Sequence, residues 1–277
     1  MRRLITAEFR KIRTTKLWWA LLIPAAAVSL VFTWGGAALG TIGEINSGSR
    51  GMLPIALPAF AQGIGFAAVF GLILGGTAVT GEMRHKTITT TYLTASTRGS
   101  VLLAKQVAYG VVGLLYGIVC MIAATLGAVF GSNLPDAGAW FTLAAVGVLA
   151  MMLWTLLGVG LGALIGNQVG TVVGGVVYVL VVEIVLNAVM RFNDLGQIPP
   201  YLPNKSSGDM VSTLAFDLFT ETSPRGIFSA ARMDSELRDL FGLQYSPAWW
   251  ASGLIFVGWT VVFGLAGHLT ARRRDIT

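Results

Sequence analysis

Residues 81–105 read GEMRHKTITTTYLTASTRGSVLLAK and form a polar, basic island between two long apolar runs. The flanking runs, at 54–80 and 101–130, are both longer than the ~20 residues that a helix needs to cross the hydrocarbon core of a bilayer. A polar segment between two such runs belongs outside the bilayer, where it is available to a soluble partner. This segment, called the island below, therefore fixes the arrangement of the neighbouring runs.

The composition is that of a membrane protein. Of the 277 residues, 55% are hydrophobic and only 12% are charged, whereas soluble domains carry about 25% charged residues. The 35 glycines fit close packing of helices in a bilayer. These values predict a single all-α, polytopic membrane domain over residues 1–277. The net charge of +6 would also suit nucleic-acid binding, but the basic residues concentrate at the ends of the apolar runs, so we expect no nucleic acid partner.

Six membrane spans are predicted from the apolar runs, because each run is near or above the length required to cross. They lie at 17–40, 54–80, 101–130, 138–165, 169–190 and 248–270. The run 138–190 is more than twice the required length, so we divide it at the polar turn 166–168.

The N-terminal residues 2–16 are too polar to span. At about 100° per residue, Leu4, Ile5, Phe9 and Ile12 fall on one side of a helix, and most of the basic residues fall on the rest. This pattern is typical of an amphipathic elbow helix on an anionic membrane surface. A cleaved signal peptide is the alternative, but the apolar run that follows is longer than the 7–15 residues of a signal h-region.

The distribution of Lys and Arg predicts the orientation. Basic residues concentrate in the N-terminal segment, in the island and in the C-terminal tail, whereas the short loops of the other side contain only Arg50. By the positive-inside rule, both termini and the island are expected to be cytoplasmic.

The long segment 191–247 is then outside the cell and is predicted to contain helices. Ser206 and Asp209 have the spacing of a capping box, and apolar residues follow at helical intervals. A second short helix is predicted with Ser223 as its cap and Pro224 at its first position. We expect amphipathic helices that lie on the outer membrane face or dip into it; the alternative is a mobile surface loop.

The sequence offers no catalytic or metal-binding pattern. It has no G-x-x-x-x-G-K-[ST] phosphate loop, no H-E-x-x-H and no G-x-S-x-G. The two histidines, His85 and His268, are far apart, and the single cysteine, Cys120, lies in an apolar run. We therefore expect neither an enzyme acting on its own nor a metal site.

The island admits two interpretations. A short charged helix between two spans is able to transmit a rigid-body push from a partner into the membrane, with Tyr92 and Leu93 supplying an apolar contact. Alternatively, the island is a solvated loop whose positive charges only set the topology.

The island resembles the segment after the second span in permease subunits of type-2 ABC transporters, a family of small six-span bacterial exporter permeases. In that family the segment reads approximately E-x-x-x-G-T, then leucines, then P-x-S/T-R, then G-K. The residues here that match this pattern are Glu82, Thr87, Leu93, Thr97, Arg98 and Lys105. Three places depart: Lys86 replaces the first glycine, Ala95 and Ser96 replace the proline, and Ala104 replaces the second glycine. The elbow helix, the six spans and the long outer segment extend the resemblance over the whole chain.

The resemblance implies a permease in the bacterial cytoplasmic membrane that pairs with itself or with a sister permease. It also implies two ABC ATPase subunits, which hold ATP and Mg²⁺ and dock on the coupling segment 82–100 from the cytoplasm; no cofactor is expected in this chain. The residues expected to couple to the ATPase are Glu82, Arg84, Thr87, Tyr92, Leu93, Thr97 and Arg98.

The resemblance further places the substrate path at the dimer interface, lined largely by the second and fifth spans. The candidate path residues are Gln62, Phe66, Phe70, Tyr178, Glu183 and Asn187. Two local alternatives stay open: Glu183 either contacts the path or forms a structural ion pair with Arg191, and the G-x-x-x-G of Gly71 and Gly75 packs either within the chain or across a dimer.

The leading functional hypothesis is an exporter permease for an amphiphile such as a drug, a peptide or a lipid-like molecule. A membrane subunit that anchors or senses without transporting is the second hypothesis. An integral membrane enzyme is the third, and the missing catalytic residues count against it.

Overall fold

A computed structural model describes residues 1–47, 53–85, 97–223 and 231–273. Within these ranges the regular structure is helical and no strand occurs. The helices are α1 (Arg2–Thr14), α2 (Leu17–Ser47), α3 (Ala56–Arg84), α4 (Arg98–Phe130), α5 (Ala137–Ile165), α6 (Gln168–Val177), α7 (Glu183–Phe192), α8 (Pro203–Thr222), α9 (Ala231–Leu240) and α10 (Trp249–Arg273).

Six stretches are long and apolar enough to cross a membrane. They are Leu17–Ile42, Ala56–Arg84, Gly99–Phe130, Ala137–Ile165, Gln168–Phe192 and Trp249–Arg273. The fifth is a continuous rod in which a π-helical turn, Tyr178–Val182, joins α6 to α7. The chain is therefore an all-α polytopic membrane protein, which confirms the fold class predicted from its composition and apolar runs.

Polar residues fix the ends of the spans. The Thr97 side chain caps α4 by accepting a hydrogen bond from the Ser100 amide, and Asp136 caps α5 in the same manner. Gly166 ends α5 in the left-handed conformation, at φ 70°, which a glycine adopts without strain. Asn167 then caps α6, so spans four and five turn sharply into each other.

The second and fourth spans, α3 and α5, cross at the centre of the molecule with almost no side chain between them. A Cβ added to Gly75 would overlap the backbone of Thr155, and one added to Gly158 would overlap the backbone of Leu72. Gly71 faces Met151 and Thr155 at this crossing. The G-x-x-x-G of α3 therefore packs within the chain, because small residues let two membrane helices approach closely.

The helix α1 and the end of α10 lie at one end of the molecule, called the terminal end below. α1 packs beside the start of α4, and a Cβ on Gly99 of α4 would meet the imidazole of His268 in the last turns of α10. The segment between spans five and six occupies the opposite end, the outer end.

The helix α8 starts deep inside the helical bundle. The indole nitrogen of Trp154 donates to the hydroxyl of Ser207 at 2.8 Å. At about 1.5 Å per residue, Trp154 lies about 25 Å along the axis of α5 from its first residue, Ala137. The indole of Trp259, in the middle of α10, donates to the Tyr201 carbonyl. After span five the chain thus re-enters the bundle, turns at Pro199–Tyr201, and runs back toward the outer end as α8.

The predicted capping box at Ser206 is wrong. α8 begins three residues earlier, at Pro203, and the buried Ser206 hydroxyl donates to the Pro203 carbonyl inside the first turn. Proline suits the first position of a helix, because no partner is available there for a backbone N–H. Ser223 ends α8; Pro224, where a second helix was predicted to start, lies outside the described residues.

Candidate functional site

Four charged side chains meet at the terminal end and form what we call the charge cluster: Glu8, Lys11, Glu82 and Lys105. The Lys105 ammonium donates to Glu8 Oε2 at 2.8 Å and to Glu82 Oε1 at 2.7 Å. The Lys11 ammonium donates to Glu8 Oε1 at 2.7 Å and to Glu82 Oε1 at 2.8 Å. Each cation thus bridges both carboxylates, and one cluster joins α1, α3 and α4.

Burial makes these contacts sensitive to the loss of any partner. The side chains of Lys105 and Glu8 are only 2% and 4% exposed, whereas that of Lys11 is 42% exposed. Two ammonium groups and two carboxylates give a cluster with no net formal charge. A buried charge costs several kcal/mol unless it is paired and hydrogen-bonded, so removing one member would leave its partner uncompensated.

The helix α1 contributes Glu8, a charged residue on its otherwise apolar side. Glu8 lies one turn from both Leu4 and Ile12, so it faces the bundle with them. For Lys11, burial lowers the pKa, but the hydrogen bonds and the charges of Glu8 and Glu82 outweigh burial and raise the pKa above its ordinary value. The Lys11 ammonium is therefore held in its charged form.

A cavity of about 500 Å³ opens beside the cluster, between α1, α3, α4 and the start of α6. Glu82, Lys105 and His85 line it, together with Gln168 of α6. The predicted coupling residue Arg84 reaches Gln168 across this region, at 3.4 Å. The second, third and fifth spans thus have polar contacts at the terminal end.

A second polar region lies inside the bundle, where α8 begins. Glu183, only 2% exposed, accepts hydrogen bonds from the backbone amides of Asn204, at 3.0 Å, and of Lys205. These amides belong to the first turn of α8, where unpaired N–H groups and the helix dipole favour a negative group. Glu183 therefore holds the buried start of α8.

The proposed ion pair between Glu183 and Arg191 is wrong. Arg191 instead donates to the Gly242 carbonyl at 3.0 Å, while the carboxylate of Glu183 is taken by the start of α8. Lys205 also donates to that carbonyl, at 3.1 Å, and bonds Asp209. The carbonyl oxygen of Gly242, a residue in the left-handed conformation at φ 70°, thus accepts hydrogen bonds from two cationic side chains.

An outer cavity of about 230 Å³ lies between α3, the fifth span and α8. Gln62, Gly65 and Phe66 line it from α3, and Val179 and Ile184 line it from the fifth span. Asn204, Lys205 and Asp209 close it from α8. The second and fifth spans therefore face each other across a space with apolar walls and a polar side.

Comparison with protein-family models decides the family. The model described as "ABC-2 family transporter protein" matches residues 3–276. The chain belongs to the ABC-2 transporter family. A comparison with curated proteins finds no match.

Membership makes this ABC-2 protein a membrane transporter component and a multi-pass membrane protein. It also implies association with ABC ATPase partners. The resemblance read from the island is thereby confirmed at the level of the family.

The structure describes four of the seven predicted coupling residues. Glu82 is in the charge cluster, Arg84 lies two residues further along at the end of α3, and Thr97 and Arg98 stand at the start of α4. Thr87, Tyr92 and Leu93 lie outside the described residues. Glu82 and Lys105, the two ends of the island, are the residues that the structure brings together.

The six path candidates are dispersed. Gln62 and Phe66 line the outer cavity, and Glu183 lies behind its wall, at the start of α8. Phe70 is half-buried against the core of the bundle. Tyr178 lines a different cavity, and the side-chain oxygen Oδ1 of Asn187 is buried without a hydrogen-bond partner among the described residues. The structure therefore does not gather the six candidates along one surface.

Glu8, Lys11 and Lys205 were not predicted from the sequence as site residues. One signal was present for Glu8, since it is the acidic residue on the apolar side of a basic helix. For Lys205, the signal was the i,i+4 spacing to Asp209, whereas its contact with the Gly242 carbonyl has no local pattern. Among the described residues, no three His, Cys, Asp or Glu side chains gather to hold a metal ion.

Proposed function

We propose that this chain is the permease subunit of an ATP-driven exporter. It pairs with a second copy or a sister permease, and two separate ABC ATPase subunits dock on segment 82–100. The observation that carries this proposal is the charge cluster, since Glu82 and Lys105 bracket the island and are bonded to each other and to the elbow helix. Family membership supports the ATPase partners.

The coupling works through paired charges and close helix packing. ATP and Mg²⁺ bind the partner subunits, and closure of those subunits displaces the island. The displacement enters α3 through Glu82 and α4 through Lys105, with α1 following through Glu8. Because α3 contacts α5 backbone to backbone at Gly75 and Gly158, the two central spans move together.

The cargo is an amphiphilic molecule, such as a drug, a peptide or a lipid-like compound, that leaves the cytoplasm or the inner leaflet. The outer cavity supports this class, because Phe66 and Val179 provide apolar walls while Gln62 and Lys205 provide polar groups. Such a mixed lining suits a molecule with an apolar body and a polar end.

ATP hydrolysis belongs to the partner subunits, and this chain is not an enzyme. The protein resides in the bacterial cytoplasmic membrane, with the terminal end and both termini in the cytoplasm. The basic residues of α1, of the island and of the last turn of α10 support this orientation.

The test is co-purification of the tagged, full-length chain in mild detergent or nanodiscs, with bound proteins identified by mass spectrometry. We expect an ABC ATPase to co-purify and Arg98→Glu to weaken its recovery several-fold. Lys16→Glu is the matched control, because it makes the same charge change at the terminal end but outside the island. Failure to recover an ABC ATPase in any detergent or nanodisc condition would overturn the proposal. Association without any cargo-stimulated ATP hydrolysis would indicate an anchoring or sensing subunit instead.

A further inference from the structure

A third cavity, the lateral cavity, lies on the other side of the fifth span from the outer cavity. It measures about 390 Å³ and is bounded by α3, α5, α6 and α10. Its walls are aromatic and aliphatic, and include Leu72, Trp154, Leu161, Tyr178, Trp259 and Phe263. This volume falls within the range of about 300–1,000 Å³ typical of small-molecule sites.

Both indole N–H groups of this lining are already engaged inside the protein. The indole of Trp154 donates to Ser207 at 2.8 Å, and the indole of Trp259 donates to the Tyr201 carbonyl at 2.8 Å. Polar atoms contribute almost nothing to the rest of the lining surface. Neither indole is left to recognise a polar ligand, so the cavity selects an apolar occupant.

The cavity also faces hydrocarbon. Gly174 lines it from α6, and a Cβ added there would meet no atom within 4 Å. The neighbouring Val173 and Val177 are 53% and 43% exposed, on a span that is long and apolar enough to cross a membrane. Hydrocarbon from the bilayer is the apolar material within reach of this lining, and an acyl chain there would gain dispersion contacts with every wall.

We propose that the lateral cavity binds one acyl chain of a membrane phospholipid. The chain enters beside Gly174 and lies against Trp154, Trp259 and Phe263. Its end contacts Tyr178, the first residue of the π-helical turn, and Pro203, the first residue of α8. The bound lipid therefore supports the joint between the fifth span and α8. This proposal stands independently of the transport function.

The chain offers a matched pair of variants. Gly174→Leu places a side chain in the cavity without meeting backbone. Gly258→Leu is the control, since Gly258 is also an exposed helical glycine with no atom within 4 Å of an added Cβ, but it does not line the cavity.

The experiment reconstitutes the full-length protein in nanodiscs of phosphatidylethanolamine and phosphatidylglycerol. The discs contain a few per cent of a phospholipid with a diazirine on one acyl chain, and cross-linked peptides are mapped by mass spectrometry. We expect labelling of peptides that contain Trp154, Tyr178 and Phe263 to exceed that of the lipid-facing residues Val111 and Leu115 several-fold. Gly174→Leu should abolish this excess, and Gly258→Leu should preserve it.

Two results would overturn the proposal. One is wild-type labelling at the cavity that does not exceed the labelling of the exposed face of α4. The other is an excess that persists in a folded Gly174→Leu protein. If that variant does not fold, the wild-type map decides alone, because it compares two regions of one molecule.

Discussion

Lys105 donates a hydrogen bond to Glu82 at 2.7 Å across 23 positions of the chain. The two residues stand at the ends of spans two and three, so the island is closed into a loop by an ion pair. The same Lys105 ammonium contacts Glu8, 97 positions away. One nitrogen atom, Nζ of Lys105, therefore joins α4 to both α1 and α3.

Lys105→Met should destabilise the protein strongly, because it leaves the carboxylates of Glu8 and Glu82 with one cation between them in a buried setting. Breaking a buried ion pair costs about 3–5 kcal/mol. Thermal unfolding in detergent should show a large fall in the midpoint, and the double variant Lys105→Met/Glu8→Gln should recover part of it. Lys16→Met, at an exposed position, should leave the midpoint unchanged. Equal loss in the single and double variants would contradict the pairing.

The contribution of Lys11 should disappear at high pH. Its pKa is raised above 10.5 in the folded protein, so the stabilisation is fully present below pH 10.5 and is lost as the pH rises through the folded-state pKa. The difference in thermal midpoint between wild type and Lys11→Gln should be constant from pH 8 to 10 and shrink above it. Taking this difference cancels other alkaline effects, and a difference that grows with pH would refute the assignment.

Gly75→Ala should impair folding, since its added Cβ would overlap the backbone of Thr155. Overpacking of this kind costs about 1–3 kcal/mol. Gly81→Ala is the control on the same helix, with no atom within 4 Å of the added Cβ, and its better helix propensity should keep stability equal or higher. The yield of monodisperse protein on size exclusion measures both. Equal yields would mean that α3 and α5 are able to separate.

Glu183→Gln should loosen the start of α8. The amide oxygen still accepts a hydrogen bond, but the negative charge at the helix N-terminus is lost, at about 0.3–2 kcal/mol. Hydrogen exchange at the amides of Asn204 and Lys205 should accelerate several-fold, and Glu183→Ala should accelerate it further. Asn193→Ala offers a control, because the Asn193 side chain bonds only the Val189 carbonyl and lies away from α8. Unchanged exchange in Glu183→Ala would contradict the capping role.

Gly65→Leu should block the outer cavity. Gly65 lines this cavity, and an added Cβ meets no atom within 4 Å, so the variant should fold normally. In the complex with its ATPase, basal hydrolysis should persist, while stimulation by amphiphilic compounds should fall at least several-fold. Gly258→Leu should keep both activities. Full stimulation in Gly65→Leu would remove the outer cavity from the path.

The sequence predicted the spans well, because an apolar run of about 20 residues has few stable conformations outside a membrane helix. It also indicated Glu82 and Lys105 separately, through the resemblance of the island. Their direct contact, and the addition of Glu8, could not be predicted, because local periodicity carries no information on pairs that are 97 positions apart.

The outer segment shows a different kind of failure. Ser206 and Asp209 match a capping pattern, yet Pro203 starts the helix and Asp209 instead bonds Lys205 and Ser246. The capping rule assumes that the acceptor for the first amides is a side chain next to them in sequence. Here a carboxylate from another span supplies the acceptor, so tertiary structure overrides the local rule.

The depth at which α8 starts has a consequence for biogenesis. The amides of Asn204 and Lys205 lie inside the bundle, where they need an acceptor, and Glu183, which supplies it, is synthesised just 21 positions before Asn204. Trp259, whose indole donates to the Tyr201 carbonyl, is synthesised much later. We therefore expect the insertion machinery to release the fifth span and α8 together as one hairpin, against which the sixth span packs afterwards.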